Sequence, residues 1–128
     1  MDIGIGRTVA LSYEEAVARV EEALKREGFG VLTRIDVKAT MKEKLGAEIA
    51  PFVILGACNP PLAHRAIQAE PEIGLMLPCN VVVRELAPGR TRVEAINANA
   101  MAALFPKADL SAVAGEVGER LSRVIASV

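Results

Sequence analysis

Aromatic side chains are scarce in this sequence: three phenylalanines, one tyrosine and no tryptophan among 128 residues. Its core must therefore be aliphatic, and it has few rings on which to stack the bases of single-stranded nucleic acid. Cysteine and histidine are scarcer still, with two of the first and one of the second. Two cysteines do not make the disulfide framework of a small secreted domain. No CxxC or HxxxH spacing occurs. Charge of one sign is also missing: 15 Lys and Arg against 16 Asp and Glu leave a net charge of −1, with the signs interspersed. Nothing in that balance draws nucleic acid or anionic lipid to the surface. The longest apolar run with small residues, Phe52 to Cys58, is far short of the ~20 residues of a membrane span. The first residues, Met1 to Arg7, have no basic start followed by an apolar run, so no signal peptide is expected. Gly4-Ile5-Gly6 lacks the third glycine of a dinucleotide fingerprint. No serine is marked as a nucleophile. The expectation is a cytoplasmic protein with free thiols, with no nucleic-acid or membrane partner, no cofactor and no recognisable catalytic machinery.

A chain of this length is about one domain, here residues 1–128. The hydrophobic fraction is 52%. Residues 2–10 read as a first strand weakened by two glycines. Ser12 and Glu15 form a capping box, and Ala16, Val17, Val20, Ala23 and Leu24 recur at helical spacing behind it. Gly28 is a natural helix stop. Residues 30–38 alternate as a half-buried strand, with Val31, Thr33, Ile35 and Val37 on one face. A short helix over Ala39–Leu45 ends at Gly46. Phe52–Cys58 is apolar on both faces and belongs inside the sheet. Asn59 caps a helix that begins with Pro60 and Pro61, where a missing N–H costs nothing, and runs to about Ala69. Asn80–Leu86 and Thr91–Ile96 flank Pro88-Gly89 as a hairpin. Ala98–Leu104 adds a turn or two of helix. The last helix, about Asp109–Ser127, carries the stripe Leu110, Val113, Val117, Leu121, Val124 and Val128. Two long amphipathic helices can cover one face of a mostly antiparallel sheet, which makes an α+β two-layer sandwich. The apolar residues Phe52–Ala57 and Val81–Val83 exceed what two helices can cover, so a homodimer is expected to bury the remainder.

The residues with chemical potential cluster between 58 and 79. Cys58 ends a strand just before a helix start, where an anion is favoured; alternatively it is a small buried filler of the strand-to-helix corner. With Cys79 and His64 it would offer three soft ligands to zinc or copper, although their spacing lends no support and a surface or helix-capping His64 is the plainer account. A further alternative is that Cys58 and Cys79 meet across neighbouring strands as a redox pair. Asp36 and Lys38, with Lys42, Glu43 and Lys44 following, read as a solvated face with weak ion pairs. Alternatively they form an anion-binding rim, with Lys44 facing the same cleft as the Asn59 helix start.

Four segments carry a family resemblance: Glu27-Gly28-Phe29-Gly30-Val31, Ile35-Asp36-Val37-Lys38-Ala39-Thr40, Ile54-Leu55-Gly56-Ala57-Cys58-Asn59-Pro60 and Leu77-Pro78-Cys79-Asn80-Val81-Val82-Val83. In this order they resemble the prokaryotic family named domain of unknown function 302, over about residues 12–128. The resemblance implies a TATA-binding-protein-like α+β arrangement and no activity. It implies no DNA binding. Asp36, Cys58, Asn59, Pro60 and Cys79 match the family's pattern without an assigned role. The expected function is a dimeric small-ligand-binding or regulatory module. It would hold a small anionic or apolar ligand near Cys58, with Asp36, Lys44, Asn59, His64 and Cys79 as further candidates. The alternative is a thiol redox or metal-handling protein using Cys58, Cys79 and His64.

Overall fold

Local chemistry sets the ends of most elements in the computed structural model, which describes residues 2–128. The strand β1 (Gly4–Val9) leads to Ser12, whose hydroxyl accepts the N–H of Glu15 at 3.1 Å and opens helix α1 (Tyr13–Arg26). Glu27 caps its C-terminus, and Gly28 follows at φ +83°, a left-handed conformation that glycine adopts cheaply. Strand β2 (Gly30–Asp36) runs directly into helix α2 (Val37–Leu45), two residues earlier than the sequence pattern indicates. The reason is Asp36, whose carboxylate accepts the N–H of Ala39 at 2.9 Å and serves as the N-cap. Strand β3 (Phe52–Cys58) passes through Asn59 into helix α3 (Pro60–Ala69). A 3-10 turn over Pro71–Met76 precedes the hairpin of β4 (Cys79–Ala87) and β5 (Arg90–Ile96), and α4 (Ala98–Ala102) and α5 (Ala108–Ala126) complete the chain.

The strands form one antiparallel sheet in the order β1-β5-β4-β3-β2. Register fixes which residues share a face. Val53, Leu55 and Ala57 lie opposite Val83, Val81 and Cys79, and Val81 and Val83 lie opposite Ala95 and Val93. All of these are buried, because α1 and α5 pack across this face. Apart from Val128, the last residue, which lies just beyond α5, the predicted stripes are the ones that do so: Ala16, Val17, Val20, Ala23 and Leu24 from α1, and Leu110, Val113, Val117, Leu121 and Val124 from α5, are buried in one apolar cluster. The fold is thus an α+β sandwich of a five-stranded antiparallel sheet and helices.

Three expectations change. Strand β2 is not half-buried; each of its residues is exposed. It is an edge strand, and its register slips between Val31, opposite Ala57, and Thr33, opposite Gly56. Leu32 is the extra residue of this β-bulge, so Val31 and Thr33 lie on opposite faces and the simple alternation fails. Val81 and Val83 do not await a second subunit, since helices bury them completely. The face without long helices carries Phe52, Ile54 and Val82, each half-buried, beside the more exposed Ile35.

Candidate functional site

Where the Cys58 end of β3 meets α3, the sandwich is incompletely filled. A cavity of about 330 Å³ lies between the end of the sheet and helices α3, α4 and α5. Its cause is legible in the side chains around it. Ala57, Ala63, Ala66, Ala98, Ala102 and Ala114 all face it, so small residues meet where Leu or Ile would close the gap. Larger apolar groups, among them Phe29, Leu62, Ile73 and Met101, complete the wall. Leu32 and Ile67 are wall residues that also face solvent, at 67% and 42% exposure, and they mark the opening. The β-bulge sets Leu32 at this edge.

Asn59, 7% exposed, is the one amide side chain in the wall. Its Oδ1 accepts the Leu62 N–H at 3.3 Å, and its Nδ2 donates to the Glu27 carbonyl at 3.4 Å. The same carbonyl accepts the Arg120 guanidinium at 2.8 Å, and Arg123 binds the Glu27 carboxylate in a bidentate pair. Those hydrogen bonds from Arg123 hold the Glu27 carboxyl below its ordinary pKa. A Cβ on Gly28 would stand 2.9 Å from Asn59 Nδ2, so glycine is required there for space as well as for φ. This lattice ties the ends of α1 and α5 to the start of α3, and it uses one donor and one acceptor of the Asn59 amide.

The start of α3 is closed to anions for a related reason. Pro60 and Pro61 have no N–H, the Leu62 N–H is taken by Asn59 Oδ1, and the Ala63 N–H donates to the Asn59 carbonyl at 2.8 Å. No donor of the first turn remains to bind phosphate or carboxylate, or to stabilise a Cys58 thiolate.

The remaining candidates separate in space. Asp36 pairs with Val53 at one end of β3, whereas Gly30 pairs with Cys58 at the other. At about 3.3 Å per residue the starts of α2 and α3 are roughly 20 Å apart. Lys44, exposed on α2, therefore shares no cleft with Asn59. Asp36 is occupied as a cap, and Lys38 and Lys42 pair with Glu48 on a solvated surface. His64 is exposed on the side of α3 away from Leu62 and Ala66 and is not part of the wall. Among the described residues, no three His, Cys, Asp or Glu side chains lie close enough together to hold a metal.

Cys58 and Cys79 both contribute to the wall and are free thiols, the first half-buried and the second buried. Register sets Cys79 opposite Ala57, not opposite Cys58, so the pair is not at directly facing positions. Burial pushes the Cys79 thiol up to about 11, and repulsion from nearby Cys58 adds to the shift. Cys79 is consequently a neutral, unreactive thiol at physiological pH. The sequence singled out Cys58, Asn59 and Cys79 but not the alanines and Met101 that shape the cavity. Helical spacing marks those residues as core; only the concentration of alanines on α3, α4 and α5 hints that the core is thin there.

The arrangement is that of a small α+β domain with an apolar cavity at one end of its sheet, and the comparisons agree with the fold. The family described as Domain of unknown function DUF302 matches residues 5–128. A solved structure of similar form is that of an uncharacterized conserved DUF302 protein from Bacillus stearothermophilus. It is 30% identical, superposes with a TM-score of 0.90, and the alignment covers 99% of this chain and 98% of that one. No curated protein matches significantly. The chain belongs to the DUF302 family. Among the described residues no helix is long and apolar enough to cross a membrane.

Proposed function

We propose that this protein is a small-ligand-binding module whose ligand is apolar and uncharged. The observation that carries this reading is the cavity of about 330 Å³, walled almost wholly by aliphatic side chains and open beside Leu32 and Ile67. Pockets of this size and polarity are where small molecules bind, and a dry apolar cavity of ~150 Å³ already takes benzene. Because the wall carries no charged side chain and the α3 start offers no free N–H, a buried charge on the ligand would lack an ionic partner and cost several kcal/mol. The apolar half of the anionic-or-apolar alternative is therefore favoured.

The test is fluorescence titration with the neutral probe N-phenyl-1-naphthylamine. Binding in the range of about 10–100 µM is expected for an apolar ligand of this size. Ala66→Phe, from α3, should weaken it more than tenfold while leaving the melting temperature equal or higher; Ala114→Leu fills the same space from α5. Absence of probe binding to the parent, or equal binding by both folded variants, would refute the reading.

We also propose that the protein self-associates through the sheet face lacking long helices. Phe52, Ile54, Val82 and Ile35 form its apolar centre, flanked by Arg84, Arg92 and Glu94, which pair with one another. Light scattering at micromolar concentration is expected to give twice the chain mass, and Val82→Glu to halve it. A parent mass of 13.6 kDa would rule the dimer out.

A further inference from the structure

We infer that the cavity is a site of covalent capture, in which an apolar α,β-unsaturated carbonyl compound is held against Cys58 and alkylates it. This rests on the apolar-ligand reading and extends it from binding to a chemical class of ligand. Three observations lead there. The wall contains no lysine, serine, threonine or histidine, so its thiols are its only nucleophiles. Of the two, Cys79 is 7% exposed and burial holds it neutral, whereas Cys58 is half-buried and accessible. Both sit in an apolar enclosure that partitions uncharged molecules from water and turns away charged ones.

The step needs no co-reactant. The Cys58 sulfur, as thiolate, attacks the β-carbon and a C–S bond forms. The π electrons of the C=C bond move to the α-carbon as an enolate; the thiol's proton passes to water at the opening, and water returns one to the α-carbon. The net change is addition of S–H across the double bond, with nothing oxidised or reduced. Holding the acceptor beside the sulfur supplies the rate advantage of proximity.

Maleimides belong to this class and serve as probes. In the full chain carrying Cys79→Ala, the rate constants for N-cyclohexylmaleimide and for a carboxylate-bearing maleimide are measured by mass spectrometry, with glutathione as reference. If Cys79→Ala does not fold, peptide mapping of the parent yields the same ratio at Cys58. The expected result is that Cys58 prefers the apolar reagent over the charged one at least about tenfold more than glutathione does. The rate should saturate with concentration, and Ala66→Phe should abolish the preference. A preference equal to that of glutathione, or one that survives Ala66→Phe, overturns the inference. If the naphthylamine probe still binds in that case, the binding reading stands and only the covalent step fails.

Discussion

Val20→Asp is expected to lower stability by about 5 kcal/mol or more, enough to unfold most domains of this size near physiological temperature. Val20 is fully buried on the α1 stripe that packs against the sheet. The substitution removes a valine's burial, worth roughly 1.5–3 kcal/mol. It also places a carboxyl where neither water nor a cation reaches it. Such a group stays neutral, and holding a carboxyl of ordinary pKa ~3.9 protonated at pH 7 costs about 4 kcal/mol, at ~1.4 kcal/mol per unit. The sum corresponds to a fall of some 20 °C in Tm for a chain of this length. Ala18→Asp is the control: it lies on the same helix two residues away, exposed, and should change stability by no more than about 0.5 kcal/mol. A melting curve for Val20→Asp that overlays the parent's would show that α1 does not pack as described.

The stripe containing Val20 was readable from spacing alone, as were the Ser12 cap, the Gly28 stop and the Pro60-Pro61 helix start. Each of these depends on residues within one or two helical turns, so the local pattern carries the full cause. The same holds for the hairpin across Pro88-Gly89, where turn chemistry and strand pairing are sequence neighbours. The edge position of β2 was not readable. Its alternation resembles that of a buried strand, but which strands lie at the edge depends on pairing between distant segments. The bulge at Leu32 depends on Gly56, twenty-odd residues away along the chain, and no period within β2 encodes it. Leu32 and Thr33 thus fall on the wrong faces if the period is simply continued.

The site was legible in the same uneven way. Strand-to-helix chemistry pointed to Cys58 and Asn59, and both are in the cavity wall. Lys44 and Asp36 stand out by charge, and charge does not tell which end of β3 a neighbouring helix occupies. His64 stands out by rarity, and its helix turns it away from the wall. The cavity itself is a deficit of volume shared by three helices and the sheet. A deficit of that kind has no single residue as its signature, which is why Ala66, Ala102 and Ala114 read as ordinary core.

Gly56→Ala is expected to cost about 2–3 kcal/mol, against the usual sign for such a change. Gly56 is buried in β3 and is not among the positive-φ glycines, Gly28, Gly46 and Gly89. On backbone grounds alone, alanine at such a position would be stabilising by about 0.4–1 kcal/mol, because it restricts the unfolded chain. Space decides otherwise. A Cβ at Gly56 would lie 2.8 Å from Cγ of Pro78 and in harder overlap with Oγ1 of Thr33. A proline ring cannot swing aside, and a β-branched threonine has few rotamers to choose from. Relief must come from moving β2 or the entry to β4, at a typical overpacking cost of 1–3 kcal/mol. Those two segments carry Leu32 and Cys79, so the displacement should also weaken the naphthylamine probe's binding. Thr33→Ala removes the nearer obstruction. In that background Gly56→Ala should cost about 1 kcal/mol less, a coupling that a urea-denaturation cycle on the four proteins resolves. Equal costs in the two backgrounds would mean that Thr33 is not what keeps position 56 a glycine, and a gain in stability from Gly56→Ala alone would mean that β2, β3 and the Pro78 turn are not packed together as the structure places them.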